Sequence, residues 1–402
     1  MQFSDVIGQT AIKQQLVQMV QQNRISHAQL FLGKEGSGGL PLALAFAQYI
    51  NCERVIGKSL PPATDLFGNT EEPPAIELPS AEIQDACGIC SACKKAEQLI
   101  HPDIHYSYPI FPRKPQAKSK CTDFVAEWRS FIQSNPYGNS YDWLQHARAD
   151  NQQGNINVHE CEDIQHKIAL KPFESRYKIL IMWMPETLGK EGNKLLKLVE
   201  EPPPNTLFLF VAENEALILP TIISRTQLVK LLPLTSQEIA DGLQKNGVAP
   251  TTAQQIALLA DGNYREALQQ LAHTDDDWEA LLRDWLNAIV RKNTVAQLKW
   301  VEGISKLGRE KQKQFLKFFI HLLQQAIRLS ITEEANHAAS PGQDFAHRLN
   351  KICGLQQQEA IVHELDKASY YVERNANAKL LFHALTIKFY HIINNNSVIL
   401  VS

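Results

Sequence analysis

Phe31–Ala47 reads FLGKEGSGGLPLALAFA, and the fold turns on how this stretch is read. An apolar run, AQLFLG, enters a glycine-rich turn and leaves it into an apolar helix. The loop that cradles ATP phosphates has the form G-x-x-x-x-G-K-[S/T]; its Lys reaches the β- and γ-phosphates and its hydroxyl holds Mg²⁺. Gly33 and Gly38 have the separation of that loop's two glycines, and Gly36 and Gly39 add to the turn. The Lys and hydroxyl positions, however, are Gly39 and Leu40. The acid expected to close a later strand, within ILIMWMPE, is replaced by Trp183; Glu186 lies three residues on and cannot hold a metal alone. Lys, hydroxyl and acid are lost together. The sequence therefore predicts a strand–turn–helix of nucleotide-binding shape that does not hydrolyse ATP, and it leaves ATP binding an open question.

The runs AQLFLG, YKILIMW, TLFLFVAE and QLVKLLPL are short and almost continuously apolar, as suits strands buried on both faces of a parallel sheet. AIKQQLVQMVQQN carries Ile12, Leu16, Met19 and Val20 near a 3.6-residue period. GNKLLKLVEEPPP reads as a short helix with Leu195, Leu198 and Val199 inward, ended by Pro202–Pro204. This rhythm predicts an α/β domain over residues 1–232, with ligands near the carboxyl ends of the strands. From Thr235 the strand signals stop. TSQEIADGLQKNG opens on a capping residue, Thr235 or Ser236, and starts a small helical domain, 233–275. Residues 276–402 read as a third, all-α domain whose aromatic-rich helices are core rather than cofactor pocket. Residues 107–155 fit neither pattern. They begin rich in Pro and Lys and carry helix-like segments with Trp128 and Trp143, and they read as a surface insertion.

The chain has 402 residues, 44% hydrophobic and 21% charged, with a net charge of −3. That length allows two or three domains. The balance argues against gripping nucleic acid by bulk positive charge. MQFSDVIGQT lacks a basic and apolar export signal, and KILIMWMP is too short to span a bilayer, so a soluble cytoplasmic protein without a membrane partner is expected.

Seven cysteines in a reducing compartment do not suggest disulfides. Cys87, Cys90 and Cys93 form a C-x2-C-x2-C run that forces three sulfurs into one small volume. An iron–sulfur run of the bacterial ferredoxin type would continue with Cys at 97, which is Glu97. A closed structural zinc site needs a fourth ligand. Proximity favours Cys52 or Cys121 over Cys161 and Cys353, and spacing alone does not choose between them. His101 and His105 are expected at the surface.

FSDVIGQTAIKQQL, HAQLFLG, NKLLKLVEEPP, LPTIISRT and GNYREAL occur in this order. Together they resemble the clamp-loader branch of the AAA+ ATPases, most closely its delta-prime class of bacterial DNA polymerase III subunits. The resemblance covers most of the chain apart from roughly 107–155. It implies an AAA+ P-loop-type α/β domain followed by a helical lid and an all-α oligomerisation collar, of which Asn375–Leu385 belongs to the last helix. Gly8-Gln9 would lie near the base site. A zinc module of about 52–100 would follow the phosphate-loop helix, with Cys52 joining Cys87, Cys90 and Cys93.

Ser224-Arg225-Thr226 matches the family's Ser-Arg-Cys motif, with Thr in place of Cys. There the arginine reaches the neighbouring subunit's ATP, where a permanently charged planar guanidinium neutralises charge on the transferring phosphoryl group. Arg265 matches an arginine held against a subunit's own nucleotide, a structural ion pair being the alternative. The implied partners are gamma or tau and delta subunits, the sliding clamp and, through the complex, primed DNA. The chain would be a stator, not an enzyme by itself, that serves the ATPase and polymerase activity of the whole complex. The rivals are an active ATPase of the gamma/tau type and a zinc-dependent nucleic-acid-binding module. A catalytic zinc enzyme would need an open coordination position, which four cysteines close.

Overall fold

The structure, a computed structural model, describes residues 1–56, 84–113, 118–149, 152–272, 278–331, 341–374 and 376–395. Three strands are buried along their whole length: β1 (Ala28–Leu32), β3 (Lys178–Trp183) and β4 (Thr206–Ala212). With β2 (Ile104–Ser107) and β5 (Gln227–Lys230) they form one parallel sheet in the order β2-β3-β4-β1-β5. Gln29 of β1 stands opposite Leu209 on one side and Gln227 on the other. Alternate side chains go to opposite faces, which explains why the strands read as unbroken apolar runs. Phe31, Ile181, Trp183 and Val211 join the core beneath α1 (Thr10–Gln21) and α2 (Gly39–Asn51). Leu30, Leu180, Met182 and Phe210 face α7 (Val158–Ala169), α8 (Asn193–Glu200) and α9 (Pro220–Ile223). Two short helices, α3 (Glu53–Ile56) and α4 (Ser91–Glu97), belong to the cysteine region; its residues 57–83 lie outside the described ones.

The region read as a surface insertion is instead part of the core. Helix α5 (Val125–Ser134) places Trp128, Phe131 and Ile132 on one buried face at i, i+3 and i+4. Helix α6 (Ser140–His146) buries Trp143, whose Nε1 donates to the Pro109 carbonyl at 2.6 Å. Tyr108 stacks on Trp128 at 3.9 Å, and Trp143 meets both rings edge-on. Trp183, at the end of β3, packs on Trp128 and Phe131. Each aromatic ring buries far more area than an aliphatic side chain, so this cluster is a major contribution to the sheet's first face.

Helices α10 (Ser236–Lys245), α11 (Pro250–Leu259) and α12 (Tyr264–Ala272) enclose a small core of their own, including Ile239, Leu243, Ile256 and Tyr264. Thr235 is the cap: its hydroxyl accepts the Glu238 N–H at 3.2 Å while Glu238 accepts the Thr235 N–H at 2.8 Å. These helices form one compact unit with the sheet, Met1–Ala272. The junction near residue 275 lies within 273–277, outside the described residues.

The second unit, His273–Ser402, is helical throughout its described core. It comprises α13 (Trp278–Val290), α14 (Thr294–Lys306), α15 (Arg309–Ile331), α16 (Pro341–Ile352), α17 (Leu355–Glu373) and α18 (Ala378–Asn395); Asn375 lies outside the described residues. Its aromatic rings are core. Trp285 and Trp300 stack at 4.2 Å, and Phe315, Phe319, Phe382 and Phe389 are fully buried around Trp285. Trp285 Nε1 donates to Thr386 Oγ1 at 3.0 Å, so this buried donor is satisfied. Trp285→Ala is expected to destabilise this unit by about 3–5 kcal/mol, read as a lower denaturant midpoint at unchanged slope.

Candidate functional site

The glycine loop leaves β1, which lies between β4 and β5 in the sheet. Gly33 N–H donates to the Ala212 carbonyl at 3.1 Å, and Ser37 N–H closes a turn onto Lys34. Gly36 and Gly38 have φ of 74° and 89°, the left-handed region that favours glycine. A Cβ at Gly36 would also come within 1.9 Å of Asn263 Oδ1. Gln9 Nε2 donates to Ser37 O at 3.1 Å and Leu232 O at 2.7 Å, so the Gly8-Gln9 element holds the loop from outside.

The space in front of this loop is filled by the chain itself. Tyr137 lies over Gly38, and its hydroxyl accepts the Ile7 N–H at 2.8 Å. What remains along the loop is a cavity of about 30 Å³, room for roughly one water. Trp183, where a metal-binding acid would stand, is buried in the aromatic cluster. Glu186 accepts the N–H groups of Glu213 and Asn214 at 2.6 and 2.9 Å, so its carboxylate closes the turn after β4.

Arg265 is 2% exposed. It grips Asp142 with two parallel hydrogen bonds, Nε to Oδ2 at 2.5 Å and Nη2 to Oδ1 at 2.6 Å, and it reaches Glu35 Oε1 through Nη1 at 3.0 Å. Glu35 belongs to the glycine loop and Asp142 to α6. Burial, then the neighbouring Glu35 and Glu186 charges, push the Glu213 carboxyl up to about 8.

Arg225 follows α9. Its Nη1 donates to Thr221 O at 2.9 Å and to Ser224 Oγ at 3.0 Å, and the guanidinium pairs with Glu200 at the end of α8. Its side chain is 34% exposed. None of these contacts reaches the glycine loop or the cysteines, so the predicted site residues fall into three separate groups.

The third group is the cysteine cluster. The sulfurs of Cys52, Cys87, Cys90 and Cys93 all lie within 4.8 Å of one another, and no disulfide joins them. Cys52 caps the carboxyl end of α2, and Cys90 caps the amino end of α4. Backbone N–H groups of Cys87, Cys90 and Cys93 point at the sulfurs of Cys52, Cys87 and Cys90, at 3.3 to 3.4 Å. Donors aimed at sulfur favour thiolates. Cys52 is pulled down to about 5, chiefly by its hydrogen bond with Cys93, whose own thiol is pushed far up by the same contact and by burial. A second negative charge is therefore resisted until a cation balances it. Four sulfurs at this separation suit a tetrahedral divalent ion with metal–sulfur bonds of about 2.3 Å. Cys121 and Cys161 are buried elsewhere in the first unit and Cys353 in the second, away from this cluster.

His101, expected at the surface, is 3% exposed. The Asp103 carboxylate accepts the N–H groups of Phe173, Glu174 and Ser175, which folds that turn over the ring. His101 Nδ1 accepts the Asp103 N–H at 3.1 Å, so the neutral ring carries its proton on Nε2, toward Ser175 Oγ at 3.1 Å. A base for Ser175 would need a bare Nε2, so this pair is structural. His105 is half-buried; burial, then Lys167 and Lys178, push it down to about 4. The residues that sequence reasoning missed are Glu35, Tyr137, Asn139 and Asp142. The capping pattern Asn139-x-x-Asp142 was visible, but its long-range pairing with Arg265 carries no local signal.

A five-stranded parallel α/β sheet with a glycine loop leaving β1 defines the class of fold; Gly39, Leu40 and Trp183 stand at the positions expected to carry lysine, hydroxyl and acid. The profile of the family described as DNA polymerase III, delta subunit, matches residues 8–63 and 77–235. The chain belongs to that family, and so to the clamp-loader subunits of DNA polymerase III. It is 26% identical over 269 residues to the DNA polymerase III subunit delta' of Bacillus subtilis (strain 168), covering 67% of this chain and 60% of that protein. It is also 26% identical over 276 residues to the subunit tau of the same organism, covering 67% of this chain and 37% of that protein. The chain thus spans less than two thirds of the length of either relative. A solved DNA polymerase III gamma subunit-related protein of Thermotoga maritima aligns over 94% of the chain at 14% identity with a TM-score of 0.34, too loose a superposition to add to the sequence match. Among the described residues, no helix is long and apolar enough to cross a membrane.

Proposed function

We propose that this chain is a non-hydrolysing, delta-prime-like subunit of a cytoplasmic clamp loader. It assembles with ATP-binding gamma or tau subunits and a delta subunit, and the complex opens the sliding clamp and places it on primed DNA. The observation that carries this reading is the glycine loop. The loop keeps glycine at two left-handed positions, 36 and 38, while Tyr137 lies over Gly38 and Trp183 lines the space beside it. A fold kept without its chemistry is what a stator needs. Its remaining contribution to hydrolysis is Arg225, with Ser224 beside it, offered to a neighbour's ATP. In this reading the α/β part, the α10–α12 lid and the C-terminal helices are three functional divisions. The four-cysteine cluster is a structural zinc knuckle; bound zinc would supply crosslinking and charge balance to a segment too small to hold its own core, with no open position for catalysis.

The equal identity to a tau subunit supports a second reading, a hydrolysing subunit of that type. The absent lysine, hydroxyl and acid count against it. The test has two arms. The purified chain alone should turn over no ATP above a boiled control, and in a reconstituted mixture with ATPase subunits and delta its omission should abolish clamp loading on primed DNA. ATP turnover by the isolated chain, or clamp loading at an undiminished rate without it, would sink the proposal.

A further inference from the structure

Three parts of the chain meet at one buried guanidinium. Arg265 comes from α12, Glu35 from the glycine loop and Asp142 from α6. Asn139 Nδ2 and Asn263 Nδ2 donate to the two Glu35 oxygens at 3.0 and 3.2 Å, so both oxygens are held. Asp142 is fixed in turn by Asn139 in a reciprocal cap of α6, at 3.0 and 3.1 Å. Above the loop, Tyr137 sits edge-on to Tyr264 of α12 with centroids 4.8 Å apart, while its hydroxyl takes the N–H of Ile7 beside Gly8-Gln9. Gly36 O accepts the Tyr264 N–H at 3.2 Å, which ties α12 directly to the loop.

We infer that the Tyr137–Asp142 segment is an internal surrogate for nucleotide, fastening the α10–α12 helices onto the α/β core in place of a bound ligand. An aromatic ring lies between the Gly8-Gln9 element and α12 and bridges them from within the chain. A carboxylate takes the bidentate grip of the lid arginine, in the way an anionic phosphate would. The segment is covalently part of the chain, so it neither dissociates nor turns over. The lid is held in one position whatever the nucleotide concentration.

The inference rests on reading the glycine loop as a vestigial nucleotide site, and the experiment separates it from the place proposed in a loader. Hydrogen exchange of the full chain is followed at amides 264–272, with and without millimolar inorganic pyrophosphate. In the parent chain these amides should be protected and indifferent to pyrophosphate. In Asp142→Ala they should exchange at least tenfold faster while β3 and β4 keep their protection, and pyrophosphate should slow them again by occupying the vacated anion position. Asp142→Asn, which preserves shape and the helix cap, is read in parallel against misfolding and should show the faster exchange at smaller amplitude; the pyrophosphate arm is read in Asp142→Ala alone, because the amide still fills the position. Unchanged protection in a folded variant overturns the fastening. Faster exchange that pyrophosphate does not reverse, or a parent chain whose lid responds to pyrophosphate, overturns the surrogate. None of these outcomes depends on whether the chain supports clamp loading.

Discussion

Arg225→Ala, placed in an otherwise intact reconstituted loader, is expected to slow hydrolysis at one ATP site by about 10³ to 10⁵, the range for removal of an arginine finger. In the proposed ring with several ATP-binding subunits, bulk turnover is a poor readout; a single-turnover burst should lose the share of one site. The physical case rests on the side chain's setting. Arg225 is partly exposed, permanently charged and held by Glu200, Ser224 and the Thr221 carbonyl, so its head is positioned before any partner arrives. To reach a phosphate it exchanges one carboxylate for a more highly charged oxyanion. Arg225→Lys should recover little of the loss, since an ammonium lacks the planar fork. Assembly, checked by size-exclusion chromatography, should survive both changes, because Arg225 is one partly exposed side chain held by Glu200, Ser224 and the Thr221 carbonyl. A full burst from Arg225→Ala would leave this chain a purely architectural role.

The second large effect concerns the four cysteines. Metal analysis of the purified chain should find one zinc per molecule, and a strong chelator should lower the melting temperature of the first unit. Structural zinc in small domains contributes on the order of 10 kcal/mol of apparent binding energy at neutral pH, all of it coupled to folding. Cys93→Ser should reproduce the chelated state, whereas Cys121→Ser, buried outside the cluster, should retain the metal. The pH dependence has a definite sign. Zinc binds the deprotonated sulfurs, so acidification lets protons compete and affinity falls as pH falls. A chain that purifies without zinc, and whose Cys93→Ser variant melts at the parental temperature, would remove the metal from the account.

The sheet was legible because burial on both faces leaves a strand few polar positions: past Lys178 and Thr206, ILIMW and LFLFVA are wholly apolar. The second unit was legible as helical because the strand signals stop at Thr235, and the Cys87-Cys90-Cys93 run from its spacing. Cys52 is different. It joins the cluster because α2 ends at that residue, and no local rule connects a helix terminus with a cysteine run 35 residues later. Residues 107–155 were misread for a related reason: proline and lysine at the start mask a region whose aromatic side chains pack on one another and on Trp183 of β3. His101 was misjudged because its burial depends on Asp103 capping a turn 70 residues away. Pairing of Arg265 with Asp142, 123 residues apart, is of the same kind.

The filling of the glycine-loop cleft also bears on descent. Restoring Gly39 to lysine and Leu40 to a hydroxyl residue would not revive an ATPase. A Cβ on Gly39 would press against Val211 at 3.1 Å, Leu40 is buried in the core, and Tyr137 and Trp183 occupy ground that a phosphate and its metal would need. Recovery would demand changes in the loop, the strand end and the Tyr137 segment together. Under the proposed reading, a single reversion in the loop does not rebuild an ATPase. The surviving glycines at 36 and 38 persist for backbone geometry, and their presence in descendants would record shape rather than a remembered appetite for nucleotide.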